Sequence, residues 1–169
     1  KEHDLGQTKK EVLAEVLPQL LMQRASSTQK RMAEIYEGYA GLKAVREELM
    51  KEFSAGDTLL VLGAPKIANE KWEGWLLDFH KRRVGKKVRM KIIYNADAKE
   101  YGTVRRKMKF TEVKYLPHKL SSPNWIDIFP QAVLFGMVLT TPITFVVRNR
   151  ELANSFRAYF EIMWKNSKE

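Results

Sequence analysis

The chain contains no cysteine. Disulfides and thiolate-ligated metals are therefore excluded, and a reducing, cytoplasmic setting is the expectation. Histidine is nearly as scarce: His3, His80 and His118 lie far apart, with no H-E-x-x-H or other ligand spacing among them. No metal site and no cofactor are expected from such a set. Neither G-x-S-x-G nor a Ser/His/Asp pattern is present, which leaves nucleophilic hydrolysis without a motif. Long apolar runs are missing too. The longest, AVLFGMVLTTPITFVV (132–147), is broken by Gly136 and Pro142 and reads as two strands. It falls short of the ~20 residues that a membrane helix needs, so no membrane partner is expected. The opening KEHDLGQTKK has no apolar core of a signal peptide. A start at Lys1 reads as a piece of a longer protein, cut upstream.

What is present is the composition of a folded domain. Of 169 residues, 44% are hydrophobic and 11% aromatic, enough for one sizeable core. The net charge of +10 raises the odds of an anionic partner without choosing among DNA, RNA, nucleotide and lipid surface.

Residues 8–30 begin helical. Val12, Leu13, Val16, Leu17, Leu20 and Leu21 recur at spacings of three and four, and Pro18 kinks or restarts the helix. That stripe packs either on its own domain or on a second subunit. A short strand at 32–38 then leads into a helix at 41–53. There Leu42, Val45, Leu49 and Phe53 share one face, and Arg46, Glu47, Lys51 and Glu52 face water. TLLVLGA (58–64) is a strand buried on both faces. Residues 68–84 form a helix with Trp72, Trp75, Leu76 and Phe79 inward, Asn69 as its cap and Gly85 at its end. A strand (86–95), a helix interrupted at Gly102 and a strand (110–117) follow. After KLSSPN the rhythm changes to three short strands, 125–129, 131–139 and 142–149, joined by tight turns as an antiparallel meander. A closing helix is capped by Asn149 and buries Leu152, Phe156, Tyr159, Phe160 and Met163. The predicted fold is a three-layer α/β sandwich around a mixed sheet.

Three sets of residues could carry function. Gly38 and Gly41 stand at a strand-to-helix turn, but GYAGLK matches neither G-x-G-x-x-G nor the P-loop. The turn itself explains them, with anion binding at the helix start as the alternative. The basic runs HKRRVGKKVRMK (80–91) and RRKMK (105–109) would form a positive band from Lys81, Arg82, Arg83, Lys86, Lys87, Arg89, Arg105 and Arg106. A solvated surface is the plainer account of that band. Finally, VLGAPK (61–66) and IIYNAD (92–97) would lie side by side if their strands are parallel neighbours. Ligands gather at the carboxyl ends of such strands, so Gly63, Ala64, Lys66, Tyr94, Asn95 and Asp97 are candidates for one crevice. Ordinary βα-loop chemistry favours the same residue types.

Taken together, the runs LPQL, IYEGYAGLKAVREEL, LLVLGA, FHKRRVGKKVRMKIIYN and NRELANSFRAYFEIMW resemble the TrmB-like archaeal transcriptional regulators, over about residues 10–166. The resemblance implies a phospholipase D-like half over 31–169, preceded by a linker and dimerisation helix over 1–30. It implies a homodimer paired through Val12, Leu13, Val16, Leu17, Leu20 and Leu21, with DNA read by a winged-helix domain upstream of this chain. Two departures count. Phospholipase D enzymes need H-x-K-x-x-x-x-D, whose His attacks phosphorus and whose Lys neutralises phosphate oxygens. His118-Lys119-Leu120 lacks that spacing, and NWIDIF, where the motif belongs, has neither His nor Lys. Sugar-binding members also carry a further carboxy-terminal domain, whereas this chain ends at MWKNSKE. The expected function is thus a non-catalytic dimerisation domain of a DNA-binding regulator, sensing a small-molecule effector where one exists. The alternatives are a phosphodiesterase or nuclease using His118 and Lys119, and direct nucleic-acid binding through the basic band.

Overall fold

A computed structural model describes residues 32–117 and 121–169. The elements run β1 (Ala33–Glu37), α1 (Gly38–Lys51), β2 (Thr58–Ala64), α2 (Lys66–Gly85), β3 (Arg89–Tyr94), a 3₁₀ turn (Ala96–Ala98), α3 (Lys99–Arg106), β4 (Thr111–Tyr115), β5 (Asn124–Ile128), β6 (Val133–Met137), β7 (Ile143–Val147) and α4 (Arg150–Asn166). The seven strands form one sheet in the order β1-β7-β6-β5-β2-β3-β4. β2, β3 and β4 pair in parallel, and β5, β6, β7 and β1 are antiparallel. The crossovers through α2 and α3 impose the first arrangement, because parallel neighbours need a long connection. The tight turns after residues 128 and 137 impose the second.

Period-two alternation explains the layers. Val61, Met90, Ile92 and Val113 point to the face packed by Leu42, Val45 and Leu49 of α1 and by Trp75, Leu76 and Phe79 of α2. Leu60, Ile93 and Ile128 point to the opposite face, beneath Phe160, Phe156 and Met163 of α4. β2 is central and covered on both sides, which is why TLLVLGA is apolar without a break. Each of these side chains contributes about 1.5–3 kcal/mol on leaving water.

Gly38 answers the question of the opening glycines. Its φ is +75°, and its N–H donates to Pro142 O at 2.8 Å. That amide is spent on closing the sheet edge over α1. Gly41 packs against Tyr36, where a Cβ would lie 3.2 Å from the tyrosine Cβ.

Several local expectations need correction. Arg46 does not face water: it is buried and bound to Asp127. Asn69 does not cap α2, which starts three residues earlier behind Pro65. Its Nδ2 instead donates to Pro65 O at 2.9 Å from within the first turn. Gly102 does not interrupt α3: it lies inside the helix because the Tyr115 ring occupies the space a Cβ would need. Tyr159 is 58% exposed, since its ring packs edge-on against Phe156 at the rim of α4. Asn149 does cap α4, its Oδ1 accepting from Leu152 N at 2.8 Å.

Candidate functional site at the carboxyl ends of the parallel strands

β2 and β3 are adjacent and parallel, so their carboxyl ends open at the same edge. β5 runs antiparallel to β2, which brings its first residue, Asn124, to that edge as well. The register of β2 against β3 shifts between Leu62 and Ala64. The intervening Gly63 has φ +75°, and a Cβ there would stand 3.4 Å from Asn124 O and 3.9 Å from Asn95 Oδ1. Glycine is thus required both by the backbone and by the closeness of β5.

Over this floor lies a groove of about 260 Å³, walled by Pro65, Lys66, Glu70, Asn95, Asp97 and the Ser121–Pro123 turn. Asn95 ties the wall together. Its N–H donates to Ala64 O at 3.0 Å and its Nδ2 to Ser122 O at 2.7 Å. Its Oδ1 is buried with no partner among the described residues. Ser121 Oγ donates to Asp97 Oδ2 at 3.3 Å, and Ser122 Oγ accepts from Asn124 N at 3.1 Å. Lys66 reaches Glu100 at 3.5 Å and Glu70 at 3.6 Å. The Glu100 carboxylate, with Glu70 second, holds the Lys66 ammonium above its ordinary pKa.

Of the six sequence-derived candidates, Lys66, Asn95 and Asp97 line the groove, and Gly63 lies beneath it beside Asn95. Ala64 and Tyr94 do not. Both are buried and border a pocket under α2 instead, since strand alternation turns Tyr94 toward the helical layer. Glu70, Ser121 and Ser122 were missed. The polar KLSSPN loop was visible, but only the antiparallel pairing of β5 with β2 shows that it returns to this edge. His118 and Lys119 lie outside the described residues, as do the stripe residues of 8–30.

Two members of the basic band are not on the surface, while Lys81, Arg82, Lys86, Lys87, Arg89 and Arg106 are exposed. Arg83 and Arg105 have no solvent exposure. Arg105 makes two bonds of 2.6 Å to the Glu73 carboxylate, and Arg83 Nη1 donates to the carbonyls of Val88 and Phe110 at 3.0 and 3.1 Å. Arg82 is held by Glu47, Lys81 by Asp78, Lys86 by Met50 O and Arg106 by Val113 O. Lys87 and Arg89 remain exposed with no partner among the described residues.

The groove therefore offers hydrogen-bonding hydroxyls and amides. Among the described residues its one ammonium, Lys66, is shared by Glu70 and Glu100. Among the described residues no cluster of His, Asp or Glu could hold a metal ion, and no helix is long and apolar enough to cross a membrane.

No family model matches the chain, and no curated protein matches it in sequence. Solved structures do match it in shape. TrmBL2, an archaeal chromatin protein whose structure shows a novel mode of DNA binding, superposes with a TM-score of 0.61 at 14% identity, over 98% of this chain and 66% of that one. NucT from Helicobacter pylori gives 0.61 at 10% identity, over 80% of this chain and 97% of that one. The α/β fold is thus shared with TrmBL2 and NucT. Nuc from Salmonella typhimurium, a phospholipase D family member, has a lower TM-score of 0.48 at 14% identity, over 80% of this chain and 97% of its own. This chain spans just under two thirds of the length of TrmBL2.

Proposed function

We propose that this chain is the non-catalytic regulatory part of a DNA-binding transcriptional regulator. In this reading the segment 1–30 links it to a DNA-reading domain upstream and pairs two copies through Val12, Leu13, Val16, Leu17, Leu20 and Leu21. The phospholipase D-like unit over 31–169 sets the distance between the two DNA-reading domains. A small-molecule effector acts by favouring one of two arrangements of the dimer.

The observation that carries this reading is the charge balance of the groove. Phosphodiester chemistry on this fold needs an imidazole to attack phosphorus and a free ammonium to neutralise the phosphate oxygens. The groove instead has Lys66 shared by Glu70 and Glu100, with Asp97 opposite. A phosphodiester would meet two carboxylates, Glu70 and Asp97, for one cation on the described walls. The overlap with TrmBL2 along nearly the whole chain supports the regulator reading, and its partial cover of TrmBL2 leaves room there for a DNA-reading domain.

Light scattering on Leu13→Lys and Leu20→Lys tests the pairing. Loss of dimer mass is expected, and an unchanged mass counts against it. The second reading, implied by the resemblance to a phospholipase D half, is metal-independent phosphodiester cleavage by His118 and Lys119. Turnover of nucleic acid or lipid diesters that disappears in His118→Ala would establish it in place of the regulator.

A further inference from the structure

Between α1, α2 and the sheet lies a partly open pocket of about 40 Å³, which shares Pro65 with the groove. A void of ~10–15 Å³ already admits one water, so this one has room for a compact guest. Its walls include apolar Val61, Leu76 and Met90 and the indoles of Trp72, Trp75 and Trp125. Four buried polar side chains also line it, Arg46, Asn69, His80 and Tyr94, and all but Asn69 bring a donor with no partner among the described residues.

Arg46 Nη2 donates to Asp127 Oδ1 and Nε lies 2.9 Å from Oδ2, while Nη1 has no partner among the described residues. His80 Nδ1 lies 3.3 Å from Arg83 Nη2, a guanidinium nitrogen that can only donate. Nδ1 is therefore the acceptor, and the ring proton sits on Nε2. The Tyr94 hydroxyl has no partner among the described residues, and burial holds its pKa above the ordinary range, so it stays protonated. The Asn69 carboxamide is also on the wall, its Nδ2 spent on Pro65 O.

The surrounding charge has the same sign. Arg46, Arg83 and Arg105 are all buried, whereas Asp127 is the one buried carboxylate among the described residues. Glu73 balances Arg105 from a half-exposed position. Arg83 has no carboxylate partner among the described residues: its hydrogen bonds involve Val88 O, Phe110 O, Thr111 Oγ1 and His80. A buried guanidinium without a counter-charge is costly, and a mobile anion nearby relieves that cost.

We infer that this pocket binds one compact monovalent anion of halide or nitrate size, held by Arg46 Nη1, His80 Nε2–H and the Tyr94 hydroxyl and balancing the charge of Arg83. The apolar and indole walls favour weakly hydrated anions over fluoride. The inference does not rest on the regulatory reading, because it concerns this pocket and not the groove.

The test uses the full chain carrying Trp164→Phe, so that fluorescence reports Trp72, Trp75 and Trp125. Sodium bromide, chloride or nitrate is titrated against sodium gluconate at constant ionic strength, while emission and the thermal midpoint are followed. A saturable response to the small anions is expected, and Tyr94→Phe should weaken it about tenfold through loss of one hydrogen bond to a charge. Bromide-grown crystals should show an anomalous peak between His80 and Tyr94. A flat titration, an equal response to gluconate, or a Tyr94→Phe affinity equal to the parent's overturns the proposal. Water density without an anomalous peak in bromide crystals also overturns it, and that result decides the matter even if Tyr94→Phe does not fold.

Discussion

Arg46 is paired with Asp127: Nη2 donates to Oδ1 at 3.0 Å, and Nε lies 2.9 Å from Oδ2. The two residues are 81 positions apart and both are buried. The guanidinium also lies 4.8 Å over the Phe79 ring, and Trp125 Nε1 donates to the same carboxylate at 3.1 Å. This pair fastens α1 to the middle of the sheet.

Removing one partner should cost far more than removing both. Arg46→Met leaves a buried, uncompensated carboxylate, with an expected loss of about 3–5 kcal/mol. Arg46→Met combined with Asp127→Leu should recover most of it. Urea unfolding of the two single variants and the double variant measures this, and a double variant as weak as Arg46→Met would refute the pairing argument.

His80 supplies a pH dependence. Burial first, then the Arg83, Arg105 and Arg46 charges, holds its pKa well below the usual 6.5. Below pH ~6.5 the unfolded chain binds a proton that the folded chain refuses, so stability falls as pH falls. Its contribution is intact at pH 7 and above. His80→Gln keeps an acceptor for Arg83 and removes the titration. The stability of wild type relative to this variant should decline with acid, approaching ~1.4 kcal/mol per pH unit below pH 6. Equal slopes in denaturation curves at pH 7, 6 and 5 would contradict this.

Gly136 lies directly under the Trp125 ring, and a Cβ would overlap the indole carbons. Gly136→Ala should cost about 1–3 kcal/mol by overpacking. It should also shift the fluorescence of Trp125, whose Nε1 must stay on Asp127. Thermal unfolding with emission spectra of the folded state reports both.

Arg83 and Lys87 are close in sequence and opposite in consequence. Arg83→Ala empties a buried site that satisfies two carbonyls, and a loss of several kcal/mol is expected. Lys87→Glu on the exposed turn should change stability by less than ~0.5 kcal/mol. If nucleic-acid binding by this chain is seen and falls with Lys87→Glu and Arg89→Glu, the surface reading of the basic runs regains support.

The contrast between those residues shows where sequence reading succeeded. The strands and helices were legible because TLLVLGA, GLKAVREEL and the final helix keep one period long enough to identify a face. The meander followed from its tight turns, whereas the parallel pairing of β2 with β3 entered the sequence reading only as the condition for a shared crevice. The buried arginines were not legible. Arg46, Arg83 and Arg105 occupy helix positions where a charge normally faces water. What buries them is distant in sequence: Asp127, the carbonyls of Val88 and Phe110, and Glu73. The same holds for the groove. Asn95 and Asp97 could be picked out at a strand end, but the Ser121–Pro123 wall depends on a strand pairing that no local pattern encodes.

The first strand has a consequence for how the chain comes to be folded. β1 sits at the rim of the sheet, and its sheet neighbour is β7, with Ala33 opposite Val147. During synthesis β1 leaves the ribosome early and must wait for more than a hundred residues before its neighbour exists. Whatever is joined to Ala33 is thus anchored through the stitch that is sewn last, and mechanical or thermal loosening of that seam would reach the amino-terminal side before it reached the core.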